Sequence, residues 1–279
     1  PTVTVTGSHI PDDRNGIKYT RPDGEILKDD EAAILNQDIR LPDIFDEHGS
    51  LLGSNLAELP EVDGAARDQY IHRYVSVFSP VSLDGLKIGL YEHSSVGRDI
   101  LHEVLTSLGA EVIRFARSET FIPVDTEAIR SEDIELAARF ARENQVDAIV
   151  SADGDCDRPL LSDHRGVWLR GDVTGVLTAR FLKAQTVVTP VSSNTILERC
   201  GAFEQVRRTR IGSPYVIAEM LRAAGIGHKK VVGYEANGGF LTASDLVIDD
   251  NYFAPLPTRD AMIVHLAVLC SAKRSGLTI

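Results

Sequence analysis

The sequence predicts an α/β fold of consecutive, similar units, each a mixed, mainly parallel sheet covered by helices. Three observations carry this. From about Lys87 onward short β-branched runs alternate with apolar residues at helical spacing, the same cycle begins again at Thr186, and glycine or proline marks the changes of period. Taken in order, Lys87-Ile88-Gly89-Leu90-Tyr91 reads as a buried strand. Leu101, Val104, Leu105 and Leu108 follow at helical spacing, and Gly109 closes that helix. A strand over 111–115, a helix over 134–143 and a strand over 147–152 complete the first cycle. The second opens with a strand at 186–189. Its best-marked helix has Ser213 as N-cap, Pro214 in the first position and Gly225 after the end, with Ile217, Met220, Leu221 and Ala224 on one face. A strand at 230–234 follows, and a final helix over 259–273 is apolar enough to pack on two sides.

The stretch before these cycles is less regular and rich in loop residues, such as Asn15-Gly16 and Arg21-Pro22-Asp23-Gly24. A breakpoint falls near Ser79-Pro80 to Asp84-Gly85. The expected units are 1–82, 83–183 and 184–279. The chain opens without Met in a strand-like Thr2-Val3-Thr4-Val5 and stops just after a strong helix, so it reads as a fragment.

With 29 basic and 41 acidic residues the net charge is −12, the wrong sign for a nucleic-acid or anionic membrane partner. No apolar run has the length of a membrane span, and Cys156, Cys200 and Cys270 show no metal or disulfide spacing. Together these favour a cytoplasmic protein.

Three loops carry chemistry. Thr6-Gly7-Ser8-His9-Ile10-Pro11 follows a strand and leads to Asn15-Gly16-Ile17-Lys18. Adjacent Ser8 and His9 make a poor hydrolase dyad, because neighbouring side chains do not readily face one another, and alone the loop reads equally well as a polar turn. Asp153-Gly154-Asp155-Cys156-Asp157-Arg158 follows an apolar strand. Its three alternate carboxylates suit a hard cation, Mg²⁺ or Ca²⁺, and Arg158 adds a phosphate-binding guanidinium. An acidic solvated turn is the plainer alternative. In Glu235-Ala236-Asn237-Gly238-Gly239, Glu235 and Asn237 would share one side of an extended loop and bind adjacent sugar hydroxyls, though a simple glycine turn explains the same residues.

In combination these loops resemble the phosphohexomutase superfamily, the phosphoglucomutase and phosphomannomutase enzymes. The family's phosphoserine loop, T-[AG]-S-H-N-P-x-x-x-N-G-x-K, stands here from Thr6 to Lys18 with every spacing kept, and its metal loop, D-G-D-x-D-R, is complete from Asp153 to Arg158. Its sugar loop, G-E-x-S-G-H, is matched by Glu235, Asn237 and Gly238. The resemblance covers essentially the whole chain. It implies part of a first domain, complete second and third domains, and no fourth.

The resemblance further implies that Ser8 carries a phosphoryl group and that Asp153, Asp155, Asp157 and a Ser8 oxygen hold Mg²⁺. Lys18 or His9 then serves as acid/base, while Glu235, Asn237, Gly238 and Arg210 face the sugar. The implied reaction interconverts mannose 6-phosphate and mannose 1-phosphate through a hexose 1,6-bisphosphate, on a phosphorylated hexose as partner, with room for a homodimer. Phosphoglucomutase and phosphoglucosamine mutase activities are the nearest alternatives, and a non-catalytic sugar-phosphate binder or a phosphatase are the alternatives of another kind. Three departures stand out: Ile10 replaces Asn, Asn237 replaces Ser, and Gly239 replaces the usual His, which removes an imidazole from the sugar loop. Lys18 as a base would need a lowered pKa.

Overall fold

The structure, a computed structural model, describes residues 2–11, 13–40, 43–52, 61–79 and 82–279. Pro80 and Val81, inside the expected breakpoint, lie outside the described residues.

The first segment folds as an antiparallel meander of β1 (Thr2–Thr6), β2 (Gly16–Arg21) and β3 (Gly24–Glu25), followed by α1 (Lys28–Leu35) and α2 (Ala65–Val75). The register pairs Thr4 with Lys18 and Thr6 with Gly16. Because side chains alternate along a strand, Thr6 and Lys18 share one face, and both reach Asp155. Helix α2 is anchored far along the chain: Tyr70 and Tyr74 donate their hydroxyls to the two oxygens of buried Asp260.

The next sheet contains β4 (Lys87–His93), β5 (Glu111–Arg117), β6 (Ala148–Ala152) and β7 (Pro159–Leu161), with α3 (Arg98–Ser107) and α4 (Ser131–Asn144) as crossovers. Its order is β5-β4-β6-β7, with only β7 antiparallel. After α5 (Gly171–Phe181) come β8 (Thr186–Pro190), α6 (Ile196–Arg199), β9 (Gln205–Thr209), α7 (Ser213–Gly225), β10 (Val231–Tyr234) and β11 (Phe240–Thr242). The chain ends through a hairpin of β12 (Leu246–Ile248) and β13 (Asn251–Phe253), then β14 (Leu256–Asp260) and α8 (Ala261–Ser275). This second sheet runs β14-β11-β10-β8-β9, with β10, β8 and β9 parallel. Both sheets are therefore mixed and mainly parallel, as the alternating pattern predicts.

Residues 261–270 of α8 are all buried, and the helix lies against α5, β7 and β11, so it touches both sheets. Each fully buried Ile or Leu here contributes about 1.5–3 kcal/mol, which welds the sheets into one core. Two expected helix starts shift. The last helix begins at Ala261, because pairing with β11 holds residue 260 in the sheet and Asp260 then caps the helix through Met262 N–H. At α7 the cap is Gly212, with φ +120°, and Ser213 opens the helix while its hydroxyl donates to Glu25.

Parallel strands deliver their following loops to one edge of each sheet. The loop after β6 is the aspartate loop and the loop after β10 is the glutamate loop, so the topology alone brings two of the three predicted loops to corresponding positions.

Candidate active site

The aspartate loop is folded back on itself by its first member. Asp153 has no exposed surface, and its Oδ1 accepts the backbone N–H groups of Asp157 and Arg158, both at 3.1 Å. Ser95 donates to the Asp153 carbonyl at 2.9 Å, and the His93 ring meets the Ala152 carbonyl at 2.7 Å, so the strand end is braced from β4. Gly154 is required by close approach: a Cβ there would lie 2.5 Å from the Ser8 carbonyl oxygen. Ser8 has φ +43°, a strained value for a residue with a side chain, and its N–H is held by Thr6 Oγ1 at 3.1 Å.

This places Ser8 Oγ 2.5 Å from Asp153 Oδ2 and 2.8 Å from Asp155 Oδ1. A hydroxyl carries one proton, so it satisfies only one of these oxygens at a time. Asp153, Asp155 and Asp157 each offer a carboxylate oxygen, all within 4.8 Å of one another. Burial first, then Asp157 and Asp155, push the Asp153 carboxyl up to about 7. Asp157 Oδ1 is buried without a hydrogen-bond partner. An all-oxygen, acid-rich set with an unsatisfied buried oxygen fits a hard divalent cation such as Mg²⁺.

Two cations from elsewhere in the chain meet this charge. Lys18 Nζ lies 2.5 Å from Asp155 and 3.0 Å from Asp157, and the Arg259 guanidinium pairs with Asp157 at 3.0 Å. Burial pulls the Lys18 pKa down, but Asp157 and the hydrogen bond to Asp155 outweigh it, and the net direction is up. The lowered pKa expected of a lysine base is therefore not what this arrangement provides; Lys18 is placed as an ammonium. Arg158 sits with Nε 3.8 Å from Asp153 and from Asp157, buried and without a hydrogen-bond partner. The His9 ring is partly buried, its Nδ1 unpartnered; burial and then Arg158 lower its pKa from 6.5.

The glutamate loop is a tight turn, not the extended loop expected from sequence. Gly238 N–H donates to the Glu235 carbonyl and Glu235 N–H to the Gly239 carbonyl, both at 3.0 Å, around Gly238 at φ +90°. Asn237 Oδ1 is used inside the turn, accepting Gly239 N–H at 2.9 Å. Asn237 and Glu235 thus do not project as an alternating pair, because the turn breaks the strand period. Glu235 is buried, and its Oε2 has no hydrogen-bond partner. Burial raises its pKa, with Arg259 and then Arg158 opposing. Two contacts hold the turn from outside: Thr126 donates to the Asn237 carbonyl at 3.0 Å, and Gly171 at the start of α5 packs so closely that a Cβ would meet Gly238 N and Asn237 C.

Arg210 is exposed, its guanidinium 5.8 Å from the Tyr215 ring centroid. Sequence reasoning missed Arg259 and Glu25. Arg259 is nine-tenths buried and joins three segments: beyond Asp157 it lies 3.7 Å from Glu235 and 3.7 Å from Glu25. Glu25 in turn accepts Ser213 and Thr258 hydroxyls at 2.9 and 2.8 Å. No local motif marks either residue; in sequence Arg259 passes for the first residue of a helix. Lys18, Asp155, Asp157, Glu25, Ser213 and Arg259 are among the residues lining a cleft of about 390 Å³.

Comparison with known proteins identifies the family. Residues 68–166 match the family profile described as phosphoglucomutase/phosphomannomutase, alpha/beta/alpha domain II, and residues 170–279 match domain III of the same family. A phosphomannomutase of Salmonella muenchen is 45% identical over 100% of this chain and 56% of its own length. One from Sinorhizobium fredii is 46% identical over 99% of this chain and 58% of its own. The chain thus spans somewhat over half the length of these curated relatives. A phosphoglucomutase/phosphomannomutase family protein of Burkholderia thailandensis has the same fold, with a TM-score of 0.69 at 19% identity, covering 99% of this chain and 58% of that one. Two consecutive family profiles, and relatives aligned from end to end of the sequence, leave one assignment: the chain belongs to the phosphoglucomutase/phosphomannomutase family, the phosphohexomutases.

Proposed function

We propose that the protein containing this chain is a phosphomannomutase, which interconverts mannose 6-phosphate and mannose 1-phosphate with Ser8 as phosphoryl carrier. The observation that carries the reading is the position of Ser8 Oγ, 2.5 and 2.8 Å from two of three clustered aspartates. A serine serving as a turn residue has no need of two clustered carboxylates, whereas a phosphoserine does need a cation to offset its charge. Asp153, Asp155, Asp157 and a Ser8 oxygen would hold Mg²⁺, which supplies charge neutralisation for the transferring oxygens.

In the first half-reaction the phosphoryl group leaves Ser8 Oγ and bonds to the free hydroxyl of the sugar phosphate, giving a hexose 1,6-bisphosphate. The hydroxyl proton is taken up and Ser8 Oγ receives one. Lys18, already donating to two carboxylates, is suited to protonate Oγ, and His9, with a free ring nitrogen, to accept the proton. The bisphosphate then turns over and returns its other phosphoryl group to Ser8. Arg158 supports phosphate binding, while Glu235 binds sugar hydroxyls and Asn237 and Gly238 shape its turn. In this reading exposed Arg210 meets the outer phosphate. The choice of mannose is supported by the name borne by the relatives at 45 and 46% identity. The same reading divides the chain at 82/83 and 183/184 and places its work in the cytoplasm; among the described residues no helix is long and apolar enough to cross a membrane.

The test supplies mannose 1-phosphate and glucose 1-phosphate separately to the full-length protein, with Mg²⁺ and a trace of the bisphosphate. Isomerisation faster with mannose and abolished by Ser8→Ala is expected. Isomerisation that survives Ser8→Ala, or release of free phosphate in place of an isomer, would overturn the proposal.

A further inference from the structure

Arg259 and Gly239 fit one another as a pair. Between the aligned positions Phe240/Asp260 and Thr242/Leu256, strand β14 has two more residues than β11, so the ladder is irregular where Arg259 sits. Such an irregularity re-aims a side chain, and here it sends Arg259 across Gly239. A Cβ on Gly239 would lie 2.8 Å from Arg259 Cδ and 2.9 Å from its Cγ, so the stem of the arginine occupies the direction a side chain at 239 would take. That is the position at which a histidine is missing from the sugar loop.

The guanidinium at the end of this stem is shared among carboxylates from three segments. It forms an ion pair with Asp157 of the cation loop at 3.0 Å and lies 3.7 Å from both Glu235 of the sugar loop and Glu25 of β3. Its Nε and Glu235 Oε2 are both buried without hydrogen-bond partners. Glu235 Oε2 has no hydrogen bond to orient it, so the charge facing it is the guanidinium of Arg259 at 3.7 Å, and a buried carboxylate left without such a partner is uncompensated.

We propose that Arg259, accommodated by the bare Gly239, is the positioning residue of the sugar loop: it orients Glu235 toward the sugar hydroxyls and ties that loop to the cation loop through Asp157. This rests on the mutase reading and adds to it a residue that compensates for the missing imidazole.

The experiment is a double-mutant cycle on the full-length protein, reading the dissociation constant of mannose 1-phosphate by calorimetry, Mn²⁺ affinity by electron paramagnetic resonance, and melting temperature. Arg259→Met is expected to weaken sugar-phosphate binding about tenfold or more, while Mn²⁺ binds at least as tightly as in the wild type, because Asp157 loses a competing cation. The double variant Arg259→Met/Glu235→Gln should be no weaker than the worse single variant, since both changes break one interaction. Arg259→Lys should restore part of the affinity, and Gly239→Ala should lose part of it. Additive losses in the cycle, an Arg259→Met affinity within twofold of wild type, or parallel loss of Mn²⁺ and sugar binding would overturn the proposal. Should Arg259→Met melt early, Arg259→Lys carries the same cycle. If Glu235→Gln weakens binding and Arg259→Met does not, this inference alone fails; if the wild type binds no hexose phosphate, the mutase reading fails with it.

Discussion

The aspartate loop and the glutamate loop leave corresponding strands of the two sheets, yet they solve opposite electrostatic problems. Residues 153–158 concentrate three carboxylates in six positions, and the loop recruits cations from a distance: Lys18 from β2 and Arg259 from β14. Residues 235–239 carry one carboxylate, buried so that its charge is costly, with an ion-pair contact at 3.7 Å to oppose it. In the first loop, repulsion among the carboxylates is what the lysine relieves. In the second, desolvation is what an arginine relieves. The two share Arg259, so neither is independent of the other. Each is also pressed into place through a glycine: Gly154 against Ser8, and Gly171 against the Asn237–Gly238 peptide.

Breaking the first loop should have the largest effect. Asp155→Asn keeps the size of the side chain but removes a charge that faces Ser8, Thr6 and Lys18. Mg²⁺ affinity and isomerisation rate are expected to fall together, the rate by about 10²–10³-fold; a rate within tenfold of wild type at saturating Mg²⁺ would count against the cation site. Gly154→Ala comes next. Its methyl group meets the Ser8 carbonyl, and backbone there has to move, so kcat should drop by about 10²-fold with KM little changed. A KM effect without a kcat effect would show that Gly154 does not set the position of Ser8.

Gly171→Ala sharpens the contrast by striking the other loop. It crowds the Asn237–Gly238 peptide and should raise KM about tenfold, as overpacking of roughly 1–3 kcal/mol would, while kcat at saturation is retained. If Gly154→Ala and Gly171→Ala gave the same kinetic signature, the two loops would not have separate tasks. The smallest effect concerns pH. Burial raises the Glu235 pKa above its ordinary 4.5, so the folded protein binds this proton more readily than the unfolded chain. The resulting stabilisation is full below the ordinary value and is lost as pH rises through the folded one. Without ligand, Glu235→Gln should therefore gain melting temperature relative to wild type as pH rises from 4 to 8. A constant difference would mean that Glu235 titrates as it does in the unfolded chain.

Much of this was legible in sequence because it is local. The aspartate motif could be read as a cation loop since its donors, spacing and glycine all lie within six residues after an apolar strand, and Ser8 shares its loop with the Thr6 hydroxyl that holds its N–H. The glutamate loop is less legible. An alternating Glu235 and Asn237 assumed an extended chain, and the left-handed Gly238 closes a turn instead. The start of α8 was misplaced for a related reason: residues 256–260 look like the run-in to a helix, but β11 claims them for the sheet.

Period, turn chemistry and motif spacing act within a few residues, so the alternation of strands and helices and the candidate nucleophile and cation ligands can be read along the chain. Only the tertiary structure decided which charges face one another. Lys18 meets Asp155 across 137 positions, Arg259 of β14 meets Asp157 in the loop after β6, and Tyr70 and Tyr74 meet Asp260 some 190 and 186 positions on. Electrostatic and hydrogen-bond partners are set by distance in space, and that distance is fixed by where the chain returns, not by any pattern along it.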